Sequence, residues 1–278
     1  MQSKSIKIGE YNKLIFSRQT QNGIYLKAQD DSEVLLPNAY VSDDLNLDNE
    51  MDVFIYTDSE DRVVATTQKP KAVVGEFAFL KVIDKNKDGY FLDWGLSKDL
   101  FVPKTEQKGM KLGEKYLFFI TLDEMTNRVY ASQKIGKYFK NKIDLKKSQE
   151  VDILIFAKTP LGFKAVIENS YSGMLYHNEI FEDIQIGDRK KAYIKNIRKD
   201  LKIDLSLKKI GKSAKDDDIQ RVIDILKELG GRSDLNYKSD PDIIKKEFKL
   251  SKKAFKRALT KMLEDRLISI DEKGIKLL

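Results

Sequence analysis

The chain of 278 residues contains no cysteine, one histidine, one tryptophan and five prolines. The absence of cysteine excludes disulfides, thiolate metal sites and thiol nucleophiles, and it fits a reducing compartment. The single histidine, His177, leaves no second imidazole for a histidine-based metal cluster and only one base for a Ser-His-Asp triad. We therefore expect neither a metal nor a cofactor.

Long apolar segments are also missing. No stretch approaches the roughly 18 apolar residues of a membrane helix, and residues 1–9 lack the apolar core of a signal peptide. Nor is there a Gly-x-x-x-x-Gly-Lys-Ser/Thr loop or a Gly-x-Gly-x-x-Gly turn to hold nucleotide phosphates. These absences predict a soluble, cytoplasmic protein that is not an enzyme and does not bind membranes.

The net charge is +7, but it is spread unevenly along the chain. Residues 1–67 carry 6 basic and 12 acidic side chains, whereas residues 68–140 carry 14 and 9, residues 141–212 carry 15 and 10, and residues 213–278 carry 16 and 13. A polyanion would be attracted to the last three segments and repelled by the first. We therefore expect the acidic first segment to pack against the second segment, or to bind a protein, rather than to bind nucleic acid.

The first three segments are repeats of one another. Each has, in the same order and with similar gaps, a strand near a glycine, a short apolar strand, a longer apolar strand and a last strand after a basic residue. The matching stretches are 22–26, 34–37, 51–55 and 62–66, then 88–92, 100–103, 116–120 and 128–132, then 161–165, 174–177, 191–194 and 202–206. Asn-Gly and Asp-Gly pairs at 22–23 and 88–89 favour tight hairpins, because both residues accept positive φ. About five short strands in roughly 65 residues predict a small barrel of the OB type.

The last segment changes from strand to helical periodicity. Apolar residues recur at helical spacing from about Lys215 until Gly230 and Gly231 end the run. Ser239-Asp240-Pro241 predicts the start of a second helix, and Ser251 caps a third. Two short apolar stretches then make a β-hairpin. Three helices closed by a hairpin are the plan of a winged helix.

The sequence therefore predicts a mainly β chain of three tandem five-stranded OB-fold barrels followed by an α/β winged-helix domain. We expect Lys-, Ser- and Gly-rich linkers at 136–150 and 208–217. The four domains are expected at residues 1–67, 68–140, 141–212 and 213–278.

Motifs in the third repeat resemble the S1 RNA-binding domain. Residues 173–179 are Gly-Met-Leu-Tyr-His-Asn-Glu, similar to the S1 pattern Gly-Leu-Val-His-Ile-Ser-Glu, and residues 186–188 and 202–206 are similar to Val-Gly-Asp and Arg-Ile-x-Leu-Ser. With three such S1 units before a winged helix, the chain resembles the conserved virulence factor B family of bacterial RNA-binding proteins over essentially its whole length. The resemblance implies single-stranded RNA as the ligand and regulation of gene expression as the role.

S1 domains hold RNA through aromatic residues on the second and third strands, a histidine in the third-strand motif and an arginine near the last strand. Aligned on the glycines, the second-strand position falls on Tyr25, Phe91 and Lys164, the histidine position on Leu36, Val102 and Tyr176, and the arginine position on Arg62, Arg128 and Lys202. A shift of one residue would exchange Phe163 for Lys164 or His177 for Tyr176. No repeat keeps the full set, so the resemblance implies RNA binding more than sequence-specific recognition.

A basic and aromatic strand in the third repeat supports the same ligand on physical grounds. Lys191, Tyr193 and Lys195 alternate along one face of the predicted strand, while Ala192 and Ile194 point inward. Aromatic rings stack on exposed bases, at about 1–3 kcal/mol per base, and cations attract the phosphates. We predict that this face binds RNA; the alternative is a solvated strand face whose tyrosine lies over a neighbouring barrel.

The third helix of the tail carries a second basic face. In a winged helix this element can enter the major groove of DNA, although Asp271 and Glu272 in the predicted wing argue against strong DNA binding. Two alternative functions therefore stay open: a DNA-binding regulator that acts through the winged helix, and an adaptor for proteins of the translation or transcription machinery. The cations of this face are Lys252, Lys253, Lys256, Arg257 and Lys261.

Overall fold

The computed structural model describes residues 2–41, 49–209, 213–271 and 274–278. The chain divides into two compact units, Met1–Phe139 (unit 1) and Lys140–Leu278 (unit 2). Unit 1 consists of two barrels, and unit 2 of a third barrel and a helical domain with a small sheet. Glu272, which the sequence placed in the wing, lies outside the described residues.

Unit 1 contains barrels 1 and 2. Each closes in the order first, second, third, fifth, fourth strand, and its third and fifth strands run parallel. The strands of barrel 1 are β1 (Tyr11–Thr20), β2 (Gly23–Lys27), β3 (Glu33–Pro37), β4 (Met51–Thr57) and β5 (Val63–Thr66). The strands of barrel 2 are β6 (Phe77–Lys85), β7 (Gly89–Asp93), β8 (Leu100–Pro103), β9 (Lys115–Asp123) and β10 (Arg128–Ser132).

Unit 2 contains barrel 3, which has the same strand order, and then the helical domain. The strands of barrel 3 are β11 (Glu150–Thr159), β12 (Gly162–Ile167), β13 (Tyr171–Tyr176), β14 (Arg189–Ile197) and β15 (Ile203–Ser206). The helical domain comprises α1 (Ser213–Glu228), β16 (Arg232–Ser233), α2 (Pro241–Phe248), α3 (Lys252–Glu264), β17 (Ile268–Asp271) and β18 (Gly274–Leu277). Its sheet has the order β16-β18-β17.

This architecture confirms the predicted fold class, including the helix starts. Asp240 caps α2 by accepting a hydrogen bond from the backbone N–H of Asp242 at 2.8 Å, and Ser251 caps α3 through the N–H of Ala254 at 3.2 Å. The two-residue strand β16 was not predicted. Along the described parts of the chain, every helix is too short or too polar to cross a membrane.

The recurring glycines have a different purpose from the one the sequence suggested. Hairpins do form at both predicted pairs, but Asn22 does not adopt positive φ. Instead, a Cβ on Gly23, Gly89 or Gly162 would lie 2.1–2.2 Å from a backbone carbonyl oxygen of the third strand. Only glycine permits the second and third strands to approach so closely at this point, so the glycine fixes where the two strands pair.

Strand β4 belongs to two cores at once. Val53 and Ile55 lie in the core of barrel 1, whereas Phe54 and Tyr56 lie in the core of barrel 2. Phe54 meets Trp94 of barrel 2 edge to face, with 5.4 Å between the ring centroids. The uninterrupted apolar run in this strand is typical of burial on both faces. The expectation that the acidic first segment packs against the second is therefore confirmed.

Replacing Phe54 by alanine should lower the unfolding free energy of unit 1 by about 3–5 kcal/mol, because it leaves a cavity in a shared core. Trp94 is the only tryptophan in the chain, so its fluorescence during urea unfolding of the whole protein reports on this unit. Val63→Ala, at an exposed position of β5, is the control and should cost less than about 1 kcal/mol. Equal losses in the two variants would contradict the shared core.

Candidate nucleic-acid interface

The pairing of the second and third strands shows which residues are equivalent in the three barrels. Each glycine pairs with the last residue of the third strand, which is Pro37, Pro103 or Tyr176. The alignment of Tyr176 with Leu36 and Val102 was therefore wrong by one residue, and both of those side chains are fully buried in their barrels. The second-strand alignment of Tyr25, Phe91 and Lys164 agrees with this pairing.

In barrel 1 the stacking position is filled by the chain itself. The guanidinium carbon of Arg18 lies 3.7 Å from the centroid of the Tyr25 ring. Arg18 is held there by Glu33, to which it donates from Nε at 3.2 Å and from Nη2 at 3.0 Å. Since a cation of this chain covers the ring, no base can stack on that face of Tyr25 while Arg18 stays in place.

Barrel 2 presents a row of three aromatic side chains on neighbouring strands. Phe91 pairs with Phe101, and Phe101 pairs with Tyr130. All three are half-buried, and the centroids of the two phenylalanine rings lie 5.3 Å apart. Burial and a hydrogen bond with Tyr138 raise the pKa of Tyr130 to about 12, so its ring stays neutral. This arrangement can stack on flat apolar groups such as bases.

The arginine of barrel 2 is already engaged by barrel 1. Arg128 forms a two-pronged ion pair with Asp61, in the turn between β4 and β5, and its Nε lies 2.9 Å from Oδ1. Lys98 reaches the same turn and donates to the carbonyl of Asp58 at 2.6 Å. Arg128, which was predicted to bind nucleic acid, is therefore neutralised by a carboxylate. Since that carboxylate belongs to barrel 1, the strand pattern of barrel 2 does not predict the pairing.

On barrel 3 the predicted strand β14 alternates as expected, but its three predicted site residues, Lys191, Tyr193 and Lys195, each have an acidic partner. Ala192 and Ile194 are fully buried, and the other face of the strand is exposed or half-buried. The pairs are Lys191 with Asp152 at 2.7 Å, Tyr193 with Glu150 at 2.7 Å, and Lys195 with Glu179. This face therefore offers a polyanion much less positive charge than the lysines alone suggest.

The third-strand position of barrel 3 is part of another polar cluster. The hydroxyl of Tyr176 accepts a hydrogen bond from Arg198 at 2.7 Å, and Arg198 also binds the carboxylate of Asp204 through Nε at 3.0 Å. Lys202, at the arginine position, pairs with Asp200 at 2.7 Å and is 72% exposed. Lys164, at the aromatic position of the second strand, is exposed.

A cleft of about 670 Å³ lies between barrel 3 and α2 within unit 2. Phe163 and His177 meet edge to face in its wall, with centroids 5.9 Å apart. Phe163 is 93% buried, so it supports the wall rather than offering a free ring. Across the cleft, Lys245 donates to the carbonyl of His177 at 3.4 Å and lies 5.6 Å from the ring of Phe181.

The cations of this cleft were not among the predicted site residues. They come from the strand before the wall and from the exposed side of α2, and three carboxylates share the lining. The lysines are Lys158, Lys245, Lys246 and Lys249, and the carboxylates are Glu182, Asp183 and Asp242. The sequence signal for them is the pair Lys245-Lys246 in the short second helix.

The basic face predicted on α3 is partly engaged within the domain. Arg257 pairs with Asp218 at 2.8 Å, and Lys261 pairs with Asp265 at 2.6 Å. Lys252 donates to a backbone carbonyl at 3.3 Å. Lys253 and Lys256 are exposed. The structure thus brings Phe163 and His177 together with the lysines of α2, and it places the α3 cations on a different element.

Models of known families match most of the chain. The S1 domain model matches residues 8–68 and 74–133, which contain barrels 1 and 2. The model described as the CvfB-like winged helix domain matches residues 220–277. These matches agree with the barrel topology of unit 1 and with the capped helices and hairpin of unit 2.

Two curated bacterial proteins are similar over nearly the whole length. Uncharacterized protein YitL of Bacillus subtilis is 27% identical over 273 residues, which cover 94% of this chain and 90% of that protein. Conserved virulence factor B of Staphylococcus epidermidis is 25% identical over 258 residues, which cover 88% and 86%. A crystal structure of a multidomain protein with nucleic acid binding domains from Streptococcus pneumoniae covers 98% of both chains, at 20% identity and a TM-score of 0.40.

The pair formed by Tyr193 and Glu150 predicts a measurable titration. The hydrogen bond to Glu150, with burial and the carboxylate charge, raises the pKa of Tyr193 above its ordinary value. Glu150→Gln should therefore lower the pKa of Tyr193, followed by NMR of ring-labelled tyrosine. Asp152→Asn, which breaks only the neighbouring pair with Lys191, should leave it unchanged. An unaltered tyrosine pKa in Glu150→Gln would contradict the pairing.

Proposed function

Because the chain belongs to the conserved virulence factor B-like family, in which S1 domains precede a winged helix, we propose that it binds single-stranded RNA. The cleft of unit 2 carries this proposal. It combines aromatic side chains with lysines from two elements and is open to the solvent. We further propose that the protein is a cytoplasmic, non-enzymatic regulator of gene expression after transcription, since the matched families are binding domains.

The chemistry of the cleft favours a single strand over a duplex. The bases of a single strand are exposed, so they can contact an exposed ring such as that of His177, whereas a duplex buries its base faces. Lysines attract the phosphates that connect those bases. The volume of about 670 Å³ lies within the range of roughly 300–1,000 Å³ that holds one compact ligand, which fits a short stretch of nucleotides.

The carboxylates in the lining give the bound strand a direction across the cleft. Asp183 and Asp242 repel phosphates, whereas Lys246 and Lys249 on the exposed side of α2 attract them. Asp242 lies in the first turn of α2, whereas Lys246 and Lys249 lie at its end, so we place the phosphates at the C-terminal end of α2 and the bases towards the wall formed by His177. Carboxylates beside the bases can accept hydrogen bonds from base amino groups, so they are compatible with this orientation.

Barrel 2 has a secondary place in the proposal. Its row of Phe91, Phe101 and Tyr130 can stack on bases, but its arginine is held by Asp61. RNA bound to this row would gain stacking without much attraction for its phosphates. We therefore assign the main RNA site to unit 2 and a weaker, stacking site to barrel 2, whereas barrel 1 is a scaffold whose own Arg18 covers Tyr25.

The test of the cleft is a double substitution on α2. Lys246→Gln with Lys249→Gln keeps side-chain length and helix propensity but removes two phosphate contacts. Each contact to a single strand contributes about 0.7 to the slope of log affinity against log salt. The variant should therefore lose about 1.4 from that slope and bind a single-stranded RNA roughly 25-fold more weakly at 0.1 M salt, measured by fluorescence anisotropy.

The matched control is Lys253→Gln with Lys256→Gln, which removes two exposed lysines from α3. This variant should bind the same RNA within about twofold of the unmodified protein, as expected for cations outside the site. The opposite result would be a loss of binding in the α3 variant but not in the α2 variant, together with a preference for duplex DNA over RNA. In that case α3 would be the binding element, and the protein would be a DNA-binding regulator.

A further prediction concerns the ion pair between barrels 1 and 2. Asp61→Asn should release Arg128 beside the aromatic row and add about one phosphate contact, which raises the affinity of the weaker barrel 2 site for RNA roughly fivefold at 0.1 M salt, measured by fluorescence anisotropy in the background of Lys246→Gln with Lys249→Gln. Asparagine suits this position, because residue 61 has a φ of 61°. Glu60→Gln removes a charge from the same turn without touching Arg128 and should have little effect. Equal affinities of the two variants would contradict the masking of Arg128 by Asp61.

A further inference from the structure

Lys208 connects barrel 3 with the winged helix, although it is not in the lining of the cleft. It follows β15 by two residues, and its Nζ donates to the carbonyl oxygen of Lys249 at 2.9 Å. That carbonyl belongs to the left-handed residue that ends α2, where the negative end of the helix dipole favours a cation. The ammonium also lies 4.1 Å from the centroid of the Phe181 ring.

Charged groups face Lys208 from α1, from α3 and from the short 3-10 helix after β13. On α1, Asp218 lies 3.8 Å away and also pairs with Arg257 of α3 at 2.8 Å. Arg221 of α1 and Arg257 oppose the positive charge, whereas Glu179, in the short 3-10 helix after β13, favours it. Asp218 is itself largely buried. Lys208 therefore sits at the point where barrel 3 and all three helices of unit 2 meet.

The charged form of Lys208 costs folding free energy at neutral pH. Burial lowers its pKa to about 8, below the value of roughly 10.4 expected in the unfolded chain. Between these pH values the unfolded state binds more protons, so stability rises as the pH increases from about 8, and below that the full penalty applies. Because the charge of Lys208 opposes folding, a gain in stability does not explain why a lysine occupies this position.

We propose that Lys208 is a positioning residue that holds α2 against barrel 3 at the spacing required by the RNA cleft. Two of its contacts, Lys249 and Phe181, line the cleft. The ammonium thus ties the end of α2 to the loop that follows the cleft wall. This inference rests on the proposed RNA-binding function of the cleft, and it concerns the geometry of the site rather than contact with RNA.

The experiment measures the affinity for a short oligoadenylate between pH 7 and pH 9, because adenine does not change its charge in this range. The fraction of charged Lys208 falls from about 0.9 to about 0.1 over this range. Because the charged form opposes the packed state and the neutral amine can still donate to the carbonyl of Lys249, affinity should not fall and should rise by at most about tenfold. Lys208→Met keeps the alkyl stem and removes the charge. It should bind weakly at both pH values, without this pH dependence.

Two further variants separate positioning from general effects. Lys209→Met removes the exposed neighbouring charge and should keep the affinity and pH profile of the unmodified protein within about twofold. Lys208→Arg, whose guanidinium stays charged at pH 9, should abolish the pH dependence while retaining binding. An affinity of the unmodified protein that falls between pH 7 and pH 9 would overturn the proposal even if Lys208→Met failed to fold.

The double variant on α2 distinguishes failure of this inference from failure of the proposed function. If Lys246→Gln with Lys249→Gln binds RNA normally, the cleft is not the RNA site. If that variant loses binding while Lys208→Met keeps the affinity and pH profile of the unmodified protein, the cleft stands and the positioning role of Lys208 is wrong.

Discussion

The close approach of a glycine to a backbone carbonyl determines the outer face of every barrel. A Cβ on Gly23, Gly89 or Gly162 would lie 2.1–2.2 Å from a carbonyl oxygen of the next strand. The glycine therefore fixes the register of the second and third strands, and because side chains alternate across a strand, it also fixes which residues share a surface. The residue two positions after this glycine is Tyr25 in barrel 1, Phe91 in barrel 2 and Lys164 in barrel 3. Three barrels of one topology therefore present three different surfaces.

Much of the fold could be predicted from the sequence because its signals are local and repeated. The strands, the glycines and the helix caps at Asp240 and Ser251 depend on neighbours in the chain. For the barrels, the threefold repetition of one pattern identifies its strands and glycines. The two-sided burial of β4 also has a local sequence signal, which is an apolar run without alternation. The one-residue error in the third strand arose because Leu36 and Val102 look like Tyr176 in spacing, whereas only strand pairing shows which residue faces outward.

The site could be predicted only in part, because a cation in a sequence does not reveal its partner. Lys191 and Tyr193 were correctly placed on one face of a strand, yet the carboxylates opposite them on β11 depend on a register between strands about forty residues apart. The pairing of Arg128 with Asp61 depends on how two barrels pack. The lysines of α2 were not predicted, because the usual reading element of a winged helix is its third helix.

Net charge and available charge are therefore different quantities in this chain. The segments that contain barrels 2 and 3 have the same excess of five basic residues, but barrel 2 has its arginine bound by barrel 1, whereas unit 2 adds exposed lysines of α2 to a barrel wall. A protein cation contributes to polyanion binding when it neutralises a phosphate and releases the counterion bound there. A lysine that is already paired with a carboxylate contributes little in this way. Since the exposed lysines of the cleft stand beside aromatic side chains only after barrel 3 and α2 have packed together, the interface that joins them is part of the proposed binding site.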